Sequence, residues 1–352
     1  MRLERNLLPL PRSPQSPDLV TQPTSLAGWP PTSPSLAPPL PGLAAQFAGD
    51  GVVPASDDLE GRARARELPL ERPGDAFVLG RNEFGQPIDV DAVVANDVRQ
   101  GDIGDCFLLA AMATLAAQDP GAVRRLIANP RHDAEGRLLS CTVRLFLPAL
   151  PPAREGTRVA RDIVVDCTQF PVRRANFGDE DDGHEELWPL IIEKAYALGV
   201  SDGYPGLDLG GTAGAAMTAL TGARAARLPV AAYDFERLTR DLAAHGLVSF
   251  ATPDAEDART RNALARAGLV RDHAYAVLGT KIDERGERWV QLYNPWGYDH
   301  PGDPAMRAAP GGFMKYDEAQ RLFGVAFVAV SNPRVTEAAA RGIRAGYSLS
   351  SS

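Results

Sequence analysis

Lysine is almost missing from this chain. Only Lys194, Lys281 and Lys315 stand among its 37 basic residues, which face 45 acidic ones for a formal net charge of -8 over 352 residues. A surface of that balance does not offer a long phosphate-tracking groove, so nucleic acid is not an expected partner. Cysteine is scarce as well. Cys106, Cys141 and Cys167 are too few and too scattered for a disulfide framework, and no Cys-x-x-Cys pair offers metal-ligand spacing. No stretch approaches the ~18 consecutive apolar residues that a membrane span needs. The first thirty residues also lack a basic segment followed by an apolar run, so no secretory signal is readable. The expected location is a reducing cytoplasm, or outside it by export without a conventional signal peptide.

What is present is enough apolar material, 44% of residues, for about two domains. Residues 1–54 hold 12 of the 30 prolines and cannot sustain helix or ladder hydrogen bonds. That segment is expected to be a disordered or polyproline-like tail, serving as a spacer or as a docking segment for a partner. From about residue 75 the pattern becomes that of a folded protein. Residues 75–225 form a first, mainly helical part, residues 226–333 a second, strand-rich part, and 334–352 a C-terminal tail. The run from Cys106 to Ala117 is apolar on every face and stops before Asp119-Pro120, which predicts a buried central helix. Further helices are expected at Leu187–Leu198, with Gly199 as the stop, at Ala213–Leu220 and at Phe235–Ala244. Strands are expected at Cys141–Leu147, Val159–Cys167, Leu247–Ala251, His273–Ile282, Arg288–Tyr293 and Val325–Val330. That order predicts an α+β protein of two lobes, the second built on an antiparallel sheet, with a cleft between them.

The chemistry begins with Cys106. A thiol at the start of a buried helix meets the positive end of the helix dipole and unpaired N–H groups, both of which favour thiolate. Gln100 just upstream offers a side-chain N–H donor suited to an oxyanion, and glycines at 101 and 104 let backbone approach closely. A cysteine opening an apolar helix is nonetheless more often a core residue. The second part of the chain weighs in: His273 opens one expected strand and Asn294 ends the next, with a turn at Asp283-Glu284-Arg285-Gly286 between them. Closing that hairpin brings imidazole and amide near opposition, where side chains sit ~5 Å apart. Cysteine, histidine and asparagine together form the set of an acyl-transfer thiol enzyme. Trp296 is placed to shield the histidine–asparagine bond from water. Cys141 and Cys167 lie in expected strands and read as small core hydrophobes, while His132, His184, His245 and His300 read as surface residues.

These segments resemble the calpain family of cysteine proteases. Gln100-Gly101-Asp102-Ile103-Gly104-Asp105-Cys106-Phe107-Leu108-Leu109-Ala110-Ala111 is similar to the calpain cysteine motif, His273-Ala274-Tyr275-Ala276-Val277 to its histidine motif, and Asn294-Pro295-Trp296-Gly297 to its asparagine motif. Between them, Leu187 to Ala197 resembles the helix carrying W-x-x-L-x-E-K-A-Y-A, and the double glycine Gly210-Gly211 follows. The resemblance covers roughly residues 75–331, with no accessory calcium module in view. It implies a papain-like two-lobed fold, a helical lobe and an antiparallel β lobe, acting on protein or peptide substrates. It assigns Cys106 as nucleophile, His273 as acid and base, Asn294 as orienter, and Gln100 with the Cys106 N–H as oxyanion hole. It also points to Gly211 and position 272 as backbone contacts for substrate, and to Trp296 beside them. Two departures stand out: Phe107 replaces a tryptophan, and Asp272 replaces a glycine. Family members bind one Ca²⁺ in each lobe, and Asp97 and Glu186 match carboxylate ligands of the first site. The acidic run Asp179 to Glu186 would complete it, whereas Tyr298-Asp299-His300 lacks a glutamate expected at the second. Two other readings stay open on the sequence: a deamidating or transglutaminase-like acyl transferase of the same chemistry, and an inactive module that recruits a partner.

Overall fold

The computed structural model describes residues 67–69, 76–77, 79–81, 87–89, 93–149, 153, 156–171, 186–297 and 312–330. The expectations placed on 1–54, 334–352, the acidic run 179–185 and 298–300 lie outside the described residues.

Helix α1 spans Cys106–Gln118 and is apolar on all sides because all sides are covered: Phe107 through Ala116 are buried. Leu108, Leu109 and Ala110 are sealed completely, each leucine contributing roughly 1.5–3 kcal/mol of burial. The helix stops at Asp119. That residue turns around to cap α2 (Pro120–Leu126), its carboxylate accepting from the Ala122 N–H at 2.9 Å, with Pro120 in the first turn where no donor is missed.

Short strands β1 (Glu67–Pro69), β2 (Leu79–Arg81) and β3 (Pro87–Asp89) precede α1, with β2 paired to β3. After α2 come β4 (Ile127–His132), β5 (Leu138–Pro148) and β6 (Arg158–Asp166), an antiparallel sheet ordered β4-β5-β6. On β5 the inward residues Cys141, Val143 and Leu145 alternate with outward ones, as a half-covered strand requires. Strand β7 (Gln169–Pro171) returns to pair with β1. Helix α3 (Trp188–Gly199) follows, buried from Trp188 to Ala197 with a proline in its first turn. Gly199 is its last residue and not its stop. Val200 is the cap, and a Cβ at Gly199 would press on the Ile163 side chain at 3.1 Å. Helices α4 (Gly203–Asp208) and α5 (Ala213–Thr221) complete this part; Thr212 caps α5, and Gly222 ends it in left-handed backbone at φ 73°.

The rest of the chain is organised by a six-stranded antiparallel sheet, ordered β12-β11-β10-β9-β13-β8. Its strands are β8 (Ala226–Pro229), β9 (Leu247–Ala251), β10 (Ala274–Ile282), β11 (Arg288–Tyr293), β12 (Phe313–Lys315) and β13 (Val325–Ala329). Side-chain alternation gives this sheet two different buried faces. Leu247, Ala251, Ala274, Ala276 and Ala329 join the core around α1. Val248, Phe250, Tyr275, Val277 and Val328 join a second core. The face toward α1 is made mostly of alanine, so the helix comes close to the sheet and Cys106 is brought against the start of β10. The aromatic face is covered by α6 (Phe235–Ala243), α7 (Ala258–Arg266) and α8 (Tyr316–Leu322), whose Phe235, Leu238, Leu264 and Tyr316 fill the second core.

The chain is therefore α+β; in the part before residue 226, β5 and β6 fall on the strands expected at Cys141–Leu147 and Val159–Cys167, and β4, outside the expected strands, joins them in a sheet of their own. Among the described residues no single helix is long and apolar enough to cross a membrane.

Candidate active site

The turn before α1 is fixed from three directions. The Gly104 N–H donates to Asp208 Oδ1 at 2.7 Å, and a Cβ on Gly104 would fall 2.8 Å from the Asp208 carbonyl oxygen, so only glycine fits. The Gln100 N–H donates to the Pro295 carbonyl at 2.7 Å, which ties the cysteine segment directly to the asparagine segment. Tyr293 adds a second tie through its hydroxyl, which donates to the Val98 carbonyl at 2.7 Å. The Gln100 side chain gives one Nε2 hydrogen to the Ile103 carbonyl at 2.7 Å, while its Oε1 is buried without a hydrogen-bond partner.

Cys106 is the first residue of α1, a free cysteine of intermediate exposure. The structure departs here from the sequence expectation of a depressed thiol pKa. Burial is the main cause that pushes the Cys106 thiol up from 9.0 to about 12; negative charge at Asp272 acts the same way, as would any on Asp105. Backbone N–H groups of Ala274 and Phe107 oppose the rise without reversing it. The energies explain the sign. A helix terminus is worth about 0.3–1 kcal/mol to an anion, up to ~2, whereas a climb from 9.0 to about 12 corresponds to roughly 4 kcal/mol against the thiolate. That direction favours the neutral thiol over the thiolate.

Ala274 follows His273, so the sulfur meets the second part of the chain within one residue of the imidazole. His273 is 4% exposed and Asn294 1%, two buried polar residues that must satisfy each other. They do: His273 Nε2 lies 2.8 Å from Asn294 Oδ1. That oxygen also accepts the Trp296 N–H at 3.1 Å, which fixes the orientation of the amide. An amide oxygen only accepts, so Nε2 carries the hydrogen and Nδ1 is the nitrogen that can take or release a proton. The pairing follows from the β10–β11 register, whose last rung toward this end is Ala276↔Tyr293. The Trp296 ring lies over the imidazole at 4.8 Å between centroids, and Tyr275 approaches it edge-on at 5.1 Å. Thr252 is a participant that sequence reasoning missed. Its Oγ1 accepts the His273 N–H at 3.0 Å while its own N–H donates to the His273 carbonyl at 3.0 Å, locking the histidine backbone. A threonine just past a buried strand and before Pro253 was the signal that could have found it.

Gly211 lies under Phe107, where a Cβ would come within 2.7 Å of two ring atoms. Phe107 in turn meets Tyr196 edge-on at 6.0 Å. Asp272, half-buried, holds left-handed backbone at φ 48°, and its N–H donates to the Pro253 carbonyl at 3.1 Å. That φ is the conformation glycine adopts freely, which is why the departure from glycine at this position has a physical cost.

Asp97 and Glu186, 3% and 0% exposed, converge on one donor. The Trp188 indole N–H points at both, 3.3 Å from Asp97 Oδ2 and 3.1 Å from Glu186 Oε2. Asp97 Oδ2 also accepts the Val94 N–H at 2.8 Å. Among the described residues no group of three or more histidine, cysteine, aspartate or glutamate side chains gathers as a metal cage. His132 and His245 are exposed, His245 with its Nδ1 at 2.9 Å from the Gln118 carbonyl; His184 and His300 lie outside the described residues. Cys141 and Cys167 are buried side by side with sulfurs 3.6 Å apart.

Comparison with known proteins identifies the family. The family model described as "Calpain family cysteine protease" matches residues 63–304. Calpain-9 of Rattus norvegicus is 27% identical over 288 residues, covering 78% of this chain and 38% of that protein. The calpain-type cysteine protease ADL1 of Oryza sativa subsp. japonica is 29% identical over 215 residues, 58% of this chain and 9% of the relative. The calpain-1 catalytic subunit of Mus musculus is 29% identical over 220 residues, 59% of this chain and 28% of the relative. The chain thus spans well under half the length of these curated relatives. A cysteine at the head of a buried helix, a histidine hydrogen-bonded to an asparagine on the adjoining sheet and a family match across most of the folded region lead to one conclusion: this chain belongs to the calpain family of cysteine proteases.

Proposed function

We propose that the protein cleaves peptide bonds through Cys106, His273 and Asn294, with Gln100 and the Cys106 N–H receiving the oxyanion, in a papain-like cleft between two lobes. The observation that carries this reading is the 2.8 Å contact of His273 Nε2 with Asn294 Oδ1, which leaves Nδ1 as the proton-accepting nitrogen on the residue beside Ala274. The resting thiol is neutral, so its proton passes to Nδ1 as sulfur attacks the carbonyl carbon. The oxygen that becomes negative takes the Cys106 N–H and the second Nε2 hydrogen of Gln100. Collapse breaks the C–N bond, and the imidazolium gives its proton to the departing amine. Water then attacks the thioester carbon, the imidazole taking its proton; the C–S bond breaks, the acyl group leaves as the carboxylic acid, and the imidazolium returns its proton to the sulfur. Gly211 and Asp272 flank the entering backbone, with Asp272 favouring substrates that carry a basic side chain nearby, and the Trp296 ring keeps water from the histidine–asparagine bond.

The family is generally calcium-regulated. Asp97 and Glu186 suit such an ion, since two buried carboxylates that converge on one N–H are hard oxygen donors of the type Ca²⁺ prefers. Calcium held there would brace the segment from Asp97 to Gln100 that carries the tie to Pro295.

Incubating wild type and Cys106→Ala with a denatured protein, with and without calcium, tests the whole reading on one gel. Fragments from wild type alone are expected. Fragments from both proteins, or a mass gain of about one dalton without new termini, would overturn it.

A further inference from the structure

Asp105 directly precedes Cys106 and is completely buried. Its backbone is satisfied: the N–H donates to the Ile103 carbonyl at 2.9 Å, and its carbonyl accepts from Leu108 and Leu109 at 2.8 and 3.1 Å. Its side chain is not placed as a helix cap, because neither carboxyl oxygen takes an N–H or hydroxyl hydrogen. The group it does face is another carboxyl, that of Glu193 on α3, also completely buried. A further carboxyl close to it is that of Asp208 at the end of α4, which accepts the Gly104 N–H. Lys194, next to Glu193 on α3, points away, its Nζ donating to the Gln169 carbonyl at 2.7 Å and lying over the Phe170 ring. On the sheet side stands Cys106, itself acted on by Asp272 and by the backbone of Ala274 beside His273.

A carboxylate in such a place meets desolvation and two like charges with no donor of its own. A carboxylic acid there makes a hydrogen bond to Glu193 and adds no charge beside the thiol. We propose that Asp105 is a positioning residue held as the neutral acid, whose O–H donates to Glu193, pinning the cysteine turn to α3 and keeping a negative charge away from the Cys106 sulfur. Burial, Glu193 and Asp208 all act on the Asp105 acid in this direction, raising it well above its ordinary 3.8. This rests on the reading of Cys106 as nucleophile only for its consequence in catalysis; the proton itself is tested without catalysis.

The test is the rate of Cys106 carboxamidomethylation by iodoacetamide, located by peptide mass mapping, between about pH 7 and pH 10. Asp105→Asn replaces the O–H with an amide N–H that needs no proton, and it should keep the wild-type rate. In Glu193→Gln the amide donates to Asp105, which then ionises. The sulfur gains a negative neighbour, and the rate at fixed pH should fall roughly threefold to tenfold. The double variant should return to the wild-type rate. If Asp105 is ionised in the native protein, Asp105→Asn alone raises the rate and Glu193→Gln leaves it unchanged, which overturns the proposal. A purely structural role predicts equal losses in both single variants, which overturns it as well. An infrared carbonyl band of a protonated carboxyl at neutral pH, present in wild type and lost in Asp105→Asn, reads the proton directly even where a variant is less stable. Absence of that band in wild type refutes the assignment, and none of these readouts depends on whether the protein cleaves peptides.

Discussion

Asp272 combines a backbone conformation suited to glycine with a charge that acts on the thiol, and two substitutions take these apart. Asp272→Asn removes the charge and keeps a residue that tolerates φ 48°, whereas Asp272→Gly removes the charge and relieves the backbone. Asp272 is one of the lesser contributors to the rise, and a carboxylate acting at an effective dielectric of about 20, with part of its field screened by solvent, shifts a thiol by roughly 1 pH unit. The thiolate fraction at a fixed pH below the Cys106 value then grows about tenfold. A thiolate of lower pKa is a weaker nucleophile, with a Brønsted slope near 0.4–0.5, so the gain in alkylation rate is about threefold. Both variants should show it. Stability should separate them: glycine escapes a left-handed cost of about 1–2 kcal/mol and returns roughly 0.5–1 through its freer unfolded chain. The glycine variant should therefore be more stable than the asparagine variant by up to about 1 kcal/mol in urea denaturation. An alkylation gain confined to Asp272→Gly would mean that backbone geometry, and not charge, governs the thiol, and the electrostatic reasoning would fail.

Other expectations follow from the same geometry. Gly211→Ala drives a methyl to 2.7 Å from the Phe107 ring and should destabilise by about 1–3 kcal/mol in denaturant melts; trimming the ring with Phe107→Leu in the same chain should recover part of that loss. Asn294→Ala frees the imidazole to turn, and peptide hydrolysis should fall at least about a hundredfold with little change in KM. The Cys106 thiol ionises near 9.0 when unfolded and at about 12 when folded, so the folded state binds the extra proton between those values. Stability is thus unaffected below pH 9.0 and declines as pH rises toward about 12, and thermal melts of Cys106→Ala should decline less steeply over that window. Calcium should raise the melting temperature of wild type and leave Asp97→Asn with Glu186→Gln unmoved; an equal rise in both would place the ion elsewhere.

Much of this architecture is legible in the sequence wherever a strong local pattern coincides with the tertiary demand. Helix α1 is readable because an all-apolar run too short for a membrane has one use, and β9 and β11 begin and end where their β-branched and aromatic residues do. Helix α7 escaped because it is rich in arginine and buries only Leu264, so it carries no apolar stripe to read. Helix α8 is two turns long and buries only Tyr316 and Ala319. At the site, the pairing of His273 with Asn294 follows from hairpin arithmetic, since it depends on residues close in sequence. The thiol's elevated pKa does not, because desolvation is set by what the whole chain packs around the sulfur. Likewise, no local signal joins Asp105, at the head of α1, to Glu193 on α3, and the two meet only after α1 and α3 have packed.

The two stitches at Val98–Tyr293 and Gln100–Pro295 have a mechanical consequence. Each ends within two residues of Gln100 on one side and within one residue of Asn294 on the other. A displacement that loosens them disturbs the amide donor and the imidazole's anchor in the same movement, so competence at this centre is gained or lost as a unit. Any event that draws the strand end and the loop together, whether an ion or a docked chain, acts as a single latch.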